Sequence, residues 1–443
     1  MRVLFIYPIP LETKKVYTGY YHGVGYLSSV LKAHGHETSL LILDTNDKNT
    51  VIERMETFLP DVVALSTFSN QMKLVKYVTC TIRSISSVPI IAGGIHATLV
   101  PEEVLAVEGI TGVVRGEGEH ALLEYVNALH DKKDVYGIAN FMFLRKGTVV
   151  KNDVRALIDL DSLPFPDREI YGDYQTILTR NKNTIGAEFM IGRGCAYECG
   201  YCSNHKIKEL YSGHSHGSFI RKRSVDNVIR EMQCVLGRYT DISLIGFHDD
   251  IFPMDLDWLE EFAQKYSKKI SLPFWCNARV DLLNEKNLRI LKRAGCMRLH
   301  MGVESGSERI KKEILGRNIT NQKVIDTFRL VKSMGFKTLA FNMIGIPEES
   351  QEDIEQTIAL NKSIKPHWLL VSLFYPFPGT NLYSKCLQNG TLGSNDVESY
   401  YECNSSISNN QISREKLLFY YNNFVQLVYE KERPQKYAPH FYK

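Results

Sequence analysis

Short apolar runs separated by helix-length segments constrain this chain more than any other feature. VLFIYP (3–8), TSLLIL (38–43), VVALST (62–67), VPIIAGG (88–94) and GVVRGEGE (112–119) follow one another through the first third. GVGYLSSVLKAHGHE (23–37) has helical spacing through Leu27, Val30 and Leu31, with Gly35 as a stop. Near-continuous apolar strands alternating with helices require a parallel sheet covered on both faces. The expected fold class is therefore α/β, beginning with a doubly wound, Rossmann-like domain over residues 1–135. NFMFLRKGTVV (140–150) predicts a hairpin around Lys146-Gly147, and DLDSLPFPDREI (159–170) a proline-containing linker. Together they form the expected boundary, 136–183.

From about residue 184 the alternation restarts. EFMIGRG, DISLIGFHDD, FWCNARVD, MRLHMGVESGS, TLAFNMIGIPEE and WLLVSLFYPFPGT are six strand-plus-loop units, ending near residue 380. Six units predict a partial (β/α)6 barrel, fewer than the eight of a closed one. Residues 381–443 are expected to be mainly helical, around SREKLLFYYNNFVQLVYEK. Polar residues gather where each strand ends: Asp249 and Asp250, Arg279, Glu304 and Ser305, Pro347 and Glu348. Barrel-type folds build their sites there. In the first domain the matching loops are STFSN, GGIHAT and RGEGE; three such loops at one edge of a sheet, two of them with glycines that let backbone approach closely, favour a large ligand.

At 443 residues the chain is long enough for two or three domains. A formal net charge of +3 gives no basis for a nucleic-acid partner. The longest apolar run, WLLVSLFYPF, is half of what a bilayer requires and predicts a buried strand. MRVLFIYP is too short for a signal peptide. No membrane span and a cytoplasmic location are the expectations. Of nine cysteines, Cys80, Cys234, Cys276, Cys296, Cys386 and Cys403 are scattered singly and are expected to be buried free thiols.

The other three are clustered. GRGCAYECGYCSNH (192–205) places Cys195, Cys199 and Cys202 on one loop. With His205, or with His214 or His216, they offer four zinc ligands. Without a fourth ligand they could hold a four-iron cluster with one iron left open to a substrate or cofactor.

The CxxxCxxC spacing, with Tyr201 directly before the third cysteine, resembles the signature of radical S-adenosylmethionine enzymes. The resemblance covers residues 184–380. It implies that Cys195, Cys199 and Cys202 hold a [4Fe-4S] cluster whose open iron chelates the amino and carboxylate groups of S-adenosylmethionine. Reductive cleavage would then yield a 5′-deoxyadenosyl radical, with a flavodoxin or ferredoxin as electron donor. By the same resemblance Asp249 and Asp250 meet the methionyl ammonium, Arg279 and Glu304 contact ribose and carboxylate, Ser305 is a further cofactor-binding residue, and MIGIPEE lies against adenine.

The first domain, with its loops and the DSLPFPDRE linker, resembles the cobalamin-binding domain of one large subgroup. That implies cobalamin cradled by Ser66, Thr67, Gly93, Gly94, His96, Gly116, Glu117 and Glu119. The DxHxxG motif that donates an axial histidine in other cobalamin proteins is absent from residues 1–150, so His96 is expected to make hydrogen bonds rather than ligate cobalt. Transfer-RNA methylthiotransferases are a competing family, but they carry three further cysteines in the first domain where this chain has Cys80 alone. The expected function is methylation of an unactivated carbon, or of phosphorus, on a small-molecule substrate. The alternatives are cyclisation or rearrangement with the same cofactors and, outside this class, a zinc- or cluster-containing binding or sensor protein.

Overall fold

The computed structural model describes residues 1–9, 20–43, 46–172, 174, 186–212, 217–392 and 411–429. The chain forms two compact units. The first comprises Met1–Tyr174, Ser203–Phe219 and Phe377–Thr380; the second comprises Gln175–Cys202, Ile220–Pro376 and Asn381–Lys443.

In the first unit β1 (Arg2–Pro8), β2 (Glu37–Leu43), β3 (Val62–Ser66), β4 (Ile90–Gly93) and β5 (Gly112–Val114) pair in parallel. Alternate side chains enter opposite faces. Leu4, Ile6, Val63 and Leu65 join one core, while Val3, Phe5, Val62 and Ala64 join the other. Both faces are therefore buried, which is why these strands read as unbroken apolar runs. The hairpin β6 (Phe141–Arg145) and β7 (Thr148–Lys151) turns at Lys146 and Gly147, both with positive φ. It belongs to the same sheet, because β6 pairs antiparallel with β5, giving the order β2-β1-β3-β4-β5-β6-β7. This corrects the sequence expectation, which placed the hairpin in a linker outside the domain.

In the second unit β8 (Gly186–Phe189) leads to the short β9 (Gly192–Arg193), which pairs antiparallel with β10 (Arg221–Lys222). β8 is joined by β11 (Leu244–Phe247), β12 (Phe274–Ala278), β13 (Cys296–Glu304), β14 (Lys337–Ile344) and β15 (Trp368–Leu373) in an all-parallel sheet ordered β15-β14-β13-β12-β11-β8. The six strands are those expected, and all six carboxyl ends fall on one edge. The helices that follow start where the sequence supplies a cap. Ser224, Asp255, Asn284, Thr320 and Ser350 each accept a backbone N–H of the first turn.

One face of this sheet buries Phe247, Phe252, Phe262 and Phe274 edge to face. The opposite face carries Glu188, His248, Trp275 and His300, with His248 on the edge of Trp275 and Trp275 stacked on His300 at 4.5 Å. Gly246 makes room for that layer, since a Cβ there would lie 2.5 Å from the indole. The helix Arg414–Tyr429 is tied down by the Tyr420 hydroxyl donating to Glu355 and that of Tyr429 to the Pro366 carbonyl, both at 2.7 Å. Tyr420 is buried there and Phe419 exposed. Cys403 lies outside the described residues. Among the described residues no helix is long and apolar enough to cross a membrane.

Candidate cluster and cofactor site

The cysteine loop springs from the carboxyl end of β8, and backbone contacts fix its shape. Gly192 passes so close to β10 that a Cβ would meet the Arg221 carbonyl at 2.6 Å, and Gly194 has φ +92°. Neither position accommodates another residue without movement or strain. Further along, the Gly200 N–H donates to the Leu315 carbonyl at 3.1 Å, and the Leu382 N–H to the Gly200 carbonyl at 2.9 Å.

Asp249 acts on this loop from just beyond the end of β11. Its carboxylate accepts the Ile191 N–H at 3.0 Å and the Gly192 N–H at 2.5 Å. Burial pushes its pKa up to about 7, with those hydrogen bonds opposing the shift. The structure thus corrects the expectation that Asp249 meets an ammonium group: it is buried and serves the backbone. Asp250, next to it, is exposed and close enough to Cys195 to act on its thiol. Ser305 is also diverted. It is fully buried, with its hydroxyl 3.4 Å from that of Thr357 and accepting the Ser307 N–H.

Arg279 lies against the second cysteine. Its Nη1 is 3.8 Å from Cys199 Sγ, its Nε and Nη2 grip the Asp281 carboxylate at 3.0 and 3.1 Å, and its Cζ stands 3.3 Å over the Tyr197 ring. Burial works against the guanidinium charge, and Asp281 more than restores it.

Tyr201 and Glu304 meet through a residue the sequence did not single out. Arg317 Nη1 donates to the Tyr201 hydroxyl at 3.1 Å and to Glu304 at 3.3 Å, while its Nη2 donates to the Gly302 carbonyl at 2.8 Å. Burial raises the pKa of Glu304, with Arg317 opposing. Glu304 reaches this position through an irregularity in β13, where the register with β14 shifts after Gly302 and Glu304 adopts φ +65°. Bulges at strand ends re-aim side chains in this way. Only the pairing across 13 residues, in VESGS and LGRN, could have signalled Arg317.

All eight described cysteines are free. Cys276, Cys296 and Cys386 are buried as expected, whereas Cys80 and Cys234 are exposed on helix surfaces, contrary to expectation. Burial raises the pKa of Cys195, and Asp250 and Cys199 add to the effect. A metal centre there would therefore displace a proton. Among the described residues no three His, Cys, Asp or Glu side chains converge as a single metal ion requires. Three thiols on one loop are the donors that a polynuclear sulphur-ligated centre takes. His205 is buried with neither ring nitrogen hydrogen-bonded. His214 and His216 lie outside the described residues.

In the first unit the three loops interlock at the carboxyl edge. The Thr67 N–H and hydroxyl both donate to the Gly93 carbonyl at 2.8 Å, and its Oγ1 accepts the Ala97 N–H. Gly94, at φ +99°, leaves no room for a Cβ, which would meet the Thr67 backbone at 2.9 Å. At half-exposed Gly93 the nearest atom would be Val114 Cβ at 4.0 Å, so bare backbone is open to a ligand. Half-buried Ser66 stands beside this turn.

Thr98 ties two loops together, donating to the Gly94 carbonyl and accepting the Gly116 N–H. The Glu117 N–H donates to the Tyr211 hydroxyl at 2.9 Å, and the Glu117 carboxylate accepts the Ile158 N–H. Glu119 is buried at the start of its helix. His96 is buried, with Nδ1 2.9 Å from the Ser69 hydroxyl and Nε2 3.7 Å from Glu103. Burial lowers its pKa, with Glu103 opposing. Ser69, Thr98 and Tyr211 carried no separate signal in the sequence, and Tyr211 comes from a segment 94 residues beyond Glu117, in a different expected domain.

Residues 189–360 match the family model described as the radical SAM superfamily, and residues 14–126 match the B12 binding domain. The chain is 28% identical to an uncharacterized methyltransferase of Pyrococcus horikoshii, over 88% of this chain and 84% of that protein. It is 27% identical to an anaerobic magnesium-protoporphyrin IX monomethyl ester cyclase of Rubrivivax gelatinosus, over 87% of this chain and 70% of that protein. Among solved structures, the cobalamin-dependent S-adenosylmethionine radical enzyme OxsB, with aqua-cobalamin and S-adenosylmethionine bound, superimposes with a TM-score of 0.75. Identity there is 17%, over 98% of this chain and 69% of that one, so the likeness is one of fold.

Proposed function

A chain that carries both a radical S-adenosylmethionine domain and a B12 binding domain belongs to the cobalamin-binding radical S-adenosylmethionine enzymes, and on that premise we propose that it transfers a methyl group to a small-molecule substrate. The acceptor in this reading is an unactivated carbon or a phosphorus. Similarity along most of both chains to the Pyrococcus methyltransferase carries the methyl-transfer half. Similarity of nearly the same extent to the cyclase supports a second reading, radical cyclisation without methyl transfer.

Cys195, Cys199 and Cys202 would hold the cluster, and the loops at Ser66–Thr67, Gly93–Gly94 and Gly116–Glu117 the corrin. When bound, the cluster supplies the electron that cleaves S-adenosylmethionine and cobalamin supplies the methyl carrier. The residues around them do the rest. Asp249 holds the turn at Ile191–Gly192 that leads into the cysteine loop. Exposed Asp250 offers a carboxylate suited to an ammonium group. Arg317 binds Tyr201 and Glu304 together beside the loop.

The two readings part in one experiment. Protein reconstituted with iron, sulphide and hydroxocobalamin is reduced and given S-adenosylmethionine with a deuterated methyl group, and the cobalamin is examined by mass spectrometry. Deuterated methylcobalamin is expected. 5′-Deoxyadenosine formed with cobalamin left unmethylated would favour cyclisation.

A further inference from the structure

Arg279 was expected to touch S-adenosylmethionine, but its surroundings give it another role. Its side chain is 10% exposed. One edge of the guanidinium is taken by both oxygens of Asp281, its face by the Tyr197 ring, and Nη1 is directed at Cys199 Sγ. Tyr197 and Cys199 lie on the cysteine loop itself, while Arg279 and Asp281 flank Val280 where β12 ends. A rigid strand end thus delivers a cation to one thiol of the loop, and a carboxylate two residues on holds the cation in place.

We propose that Arg279 is a positioning residue that raises the reduction potential of the cluster through its hydrogen bond and charge at Cys199, with Asp281 as the counterweight. The proposal rests on the reading in which Cys195, Cys199 and Cys202 hold that cluster. Hydrogen bonds to cluster sulphurs and local net charge are principal determinants of potential. A guanidinium donating to a thiolate withdraws electron density and favours the more negative, reduced form. Asp281, bidentate on the same guanidinium, cancels part of that charge. The step concerned is one-electron reduction by a low-potential flavin or iron–sulphur carrier, which is itself oxidised by one electron. No bond forms or breaks in it. Arg279 neither gives nor takes a proton in it, since guanidinium stays charged at any working pH.

The test is a redox titration followed by electron paramagnetic resonance on reconstituted wild-type, Arg279→Gln, Arg279→Lys and Asp281→Asn proteins, alongside S-adenosylmethionine affinity for the oxidised form. Arg279→Gln is expected to move the midpoint to more negative potential and Asp281→Asn to more positive, with affinity unchanged in both. Arg279→Lys should remain close to wild type. Opposite shifts from neighbouring substitutions are not produced by a merely structural role. If Arg279→Gln does not take up iron, Asp281→Asn and Arg279→Lys still decide the matter. An unchanged midpoint in Asp281→Asn, or lost affinity at an unchanged midpoint in Arg279→Gln, would overturn the proposal. A wild-type protein that takes up no iron would overturn the cluster reading itself, and is told apart by its iron content.

Discussion

Glu304 turns its carboxylate onto Arg317, 3.3 Å away, from a left-handed backbone with φ +65°. Such a conformation costs a non-glycine residue of order 1–3 kcal/mol and persists only where the surroundings impose it. Here they do so through Arg317, which also holds Tyr201 on the cysteine loop. Removing the cation would leave a buried carboxylate without its partner. Arg317→Ala is expected to cost about 3–5 kcal/mol in urea unfolding, with Arg317→Lys recovering part. A loss below about 1 kcal/mol, typical of an exposed pair, would show that the three residues do not act together.

The Tyr211 hydroxyl is the acceptor for the Glu117 N–H, on the loop where a Cβ at Gly116 would collide with that hydroxyl. Tyr211→Phe should keep the ring and leave the amide unpaired, at about 1–3 kcal/mol. Hydrogen exchange at Glu117 should rise, and cobalamin should be lost faster on gel filtration. Unchanged exchange would mean that the Tyr211 hydroxyl does not hold this loop.

Much of this architecture was legible beforehand, because parallel strands buried on both faces are apolar almost throughout, as β1 and β3 are. The Lys146-Gly147 hairpin was legible as a turn, since Gly147 takes positive φ without strain. Its place in the first sheet was not, because nothing in FMFLR specifies the partner strand. Asp249 and Asp250 are chemically identical in sequence; only burial distinguishes the one that shapes the loop from the one left exposed. Arg317 and Tyr211 depend on packing across chain separations that carry no local pattern.

His248, directly after β11, pairs with Glu188 on β8 at 3.0 Å, its side chain 38% accessible on the face opposite the helices. Burial disfavours the imidazolium, but Glu188, with a contribution from Asp249, outweighs it and raises the pKa. Trp275 is the ring beside it, and His300 is held neutral by burial and by nearby Arg298. A raised histidine pKa stabilises the fold fully below the unfolded value of about 6.5, and the contribution fades as pH rises through the folded pKa. Glu188→Gln should therefore destabilise the protein at pH 6 and much less at pH 9. Equal losses at both would show that the pair contributes no ionic stabilisation.

Glu349 gives the opposite slope. It accepts the Gly345 N–H at 2.6 Å and the Ile346 N–H at 3.2 Å, yet burial pushes its pKa up to about 8. A carboxyl that holds its proton more tightly when folded makes stability fall as pH rises from about 4.5 to 8. Glu349→Gln keeps an acceptor and removes the ionisation. The fall in melting temperature between pH 5 and 8 should be shallower in that variant, and an unchanged slope would exclude Glu349 as its source.

The central claim is that three thiols on one loop hold a cluster that cleaves S-adenosylmethionine. Its most direct test is 5′-deoxyadenosine formation by anaerobically reconstituted, dithionite-reduced protein, measured by mass spectrometry beside Cys199→Ala with iron determined in both. About four irons per chain and 5′-deoxyadenosine in the wild type, with no product from Cys199→Ala, is the predicted result. A variant that still cleaves S-adenosylmethionine, or a wild type that binds no iron, would contradict it.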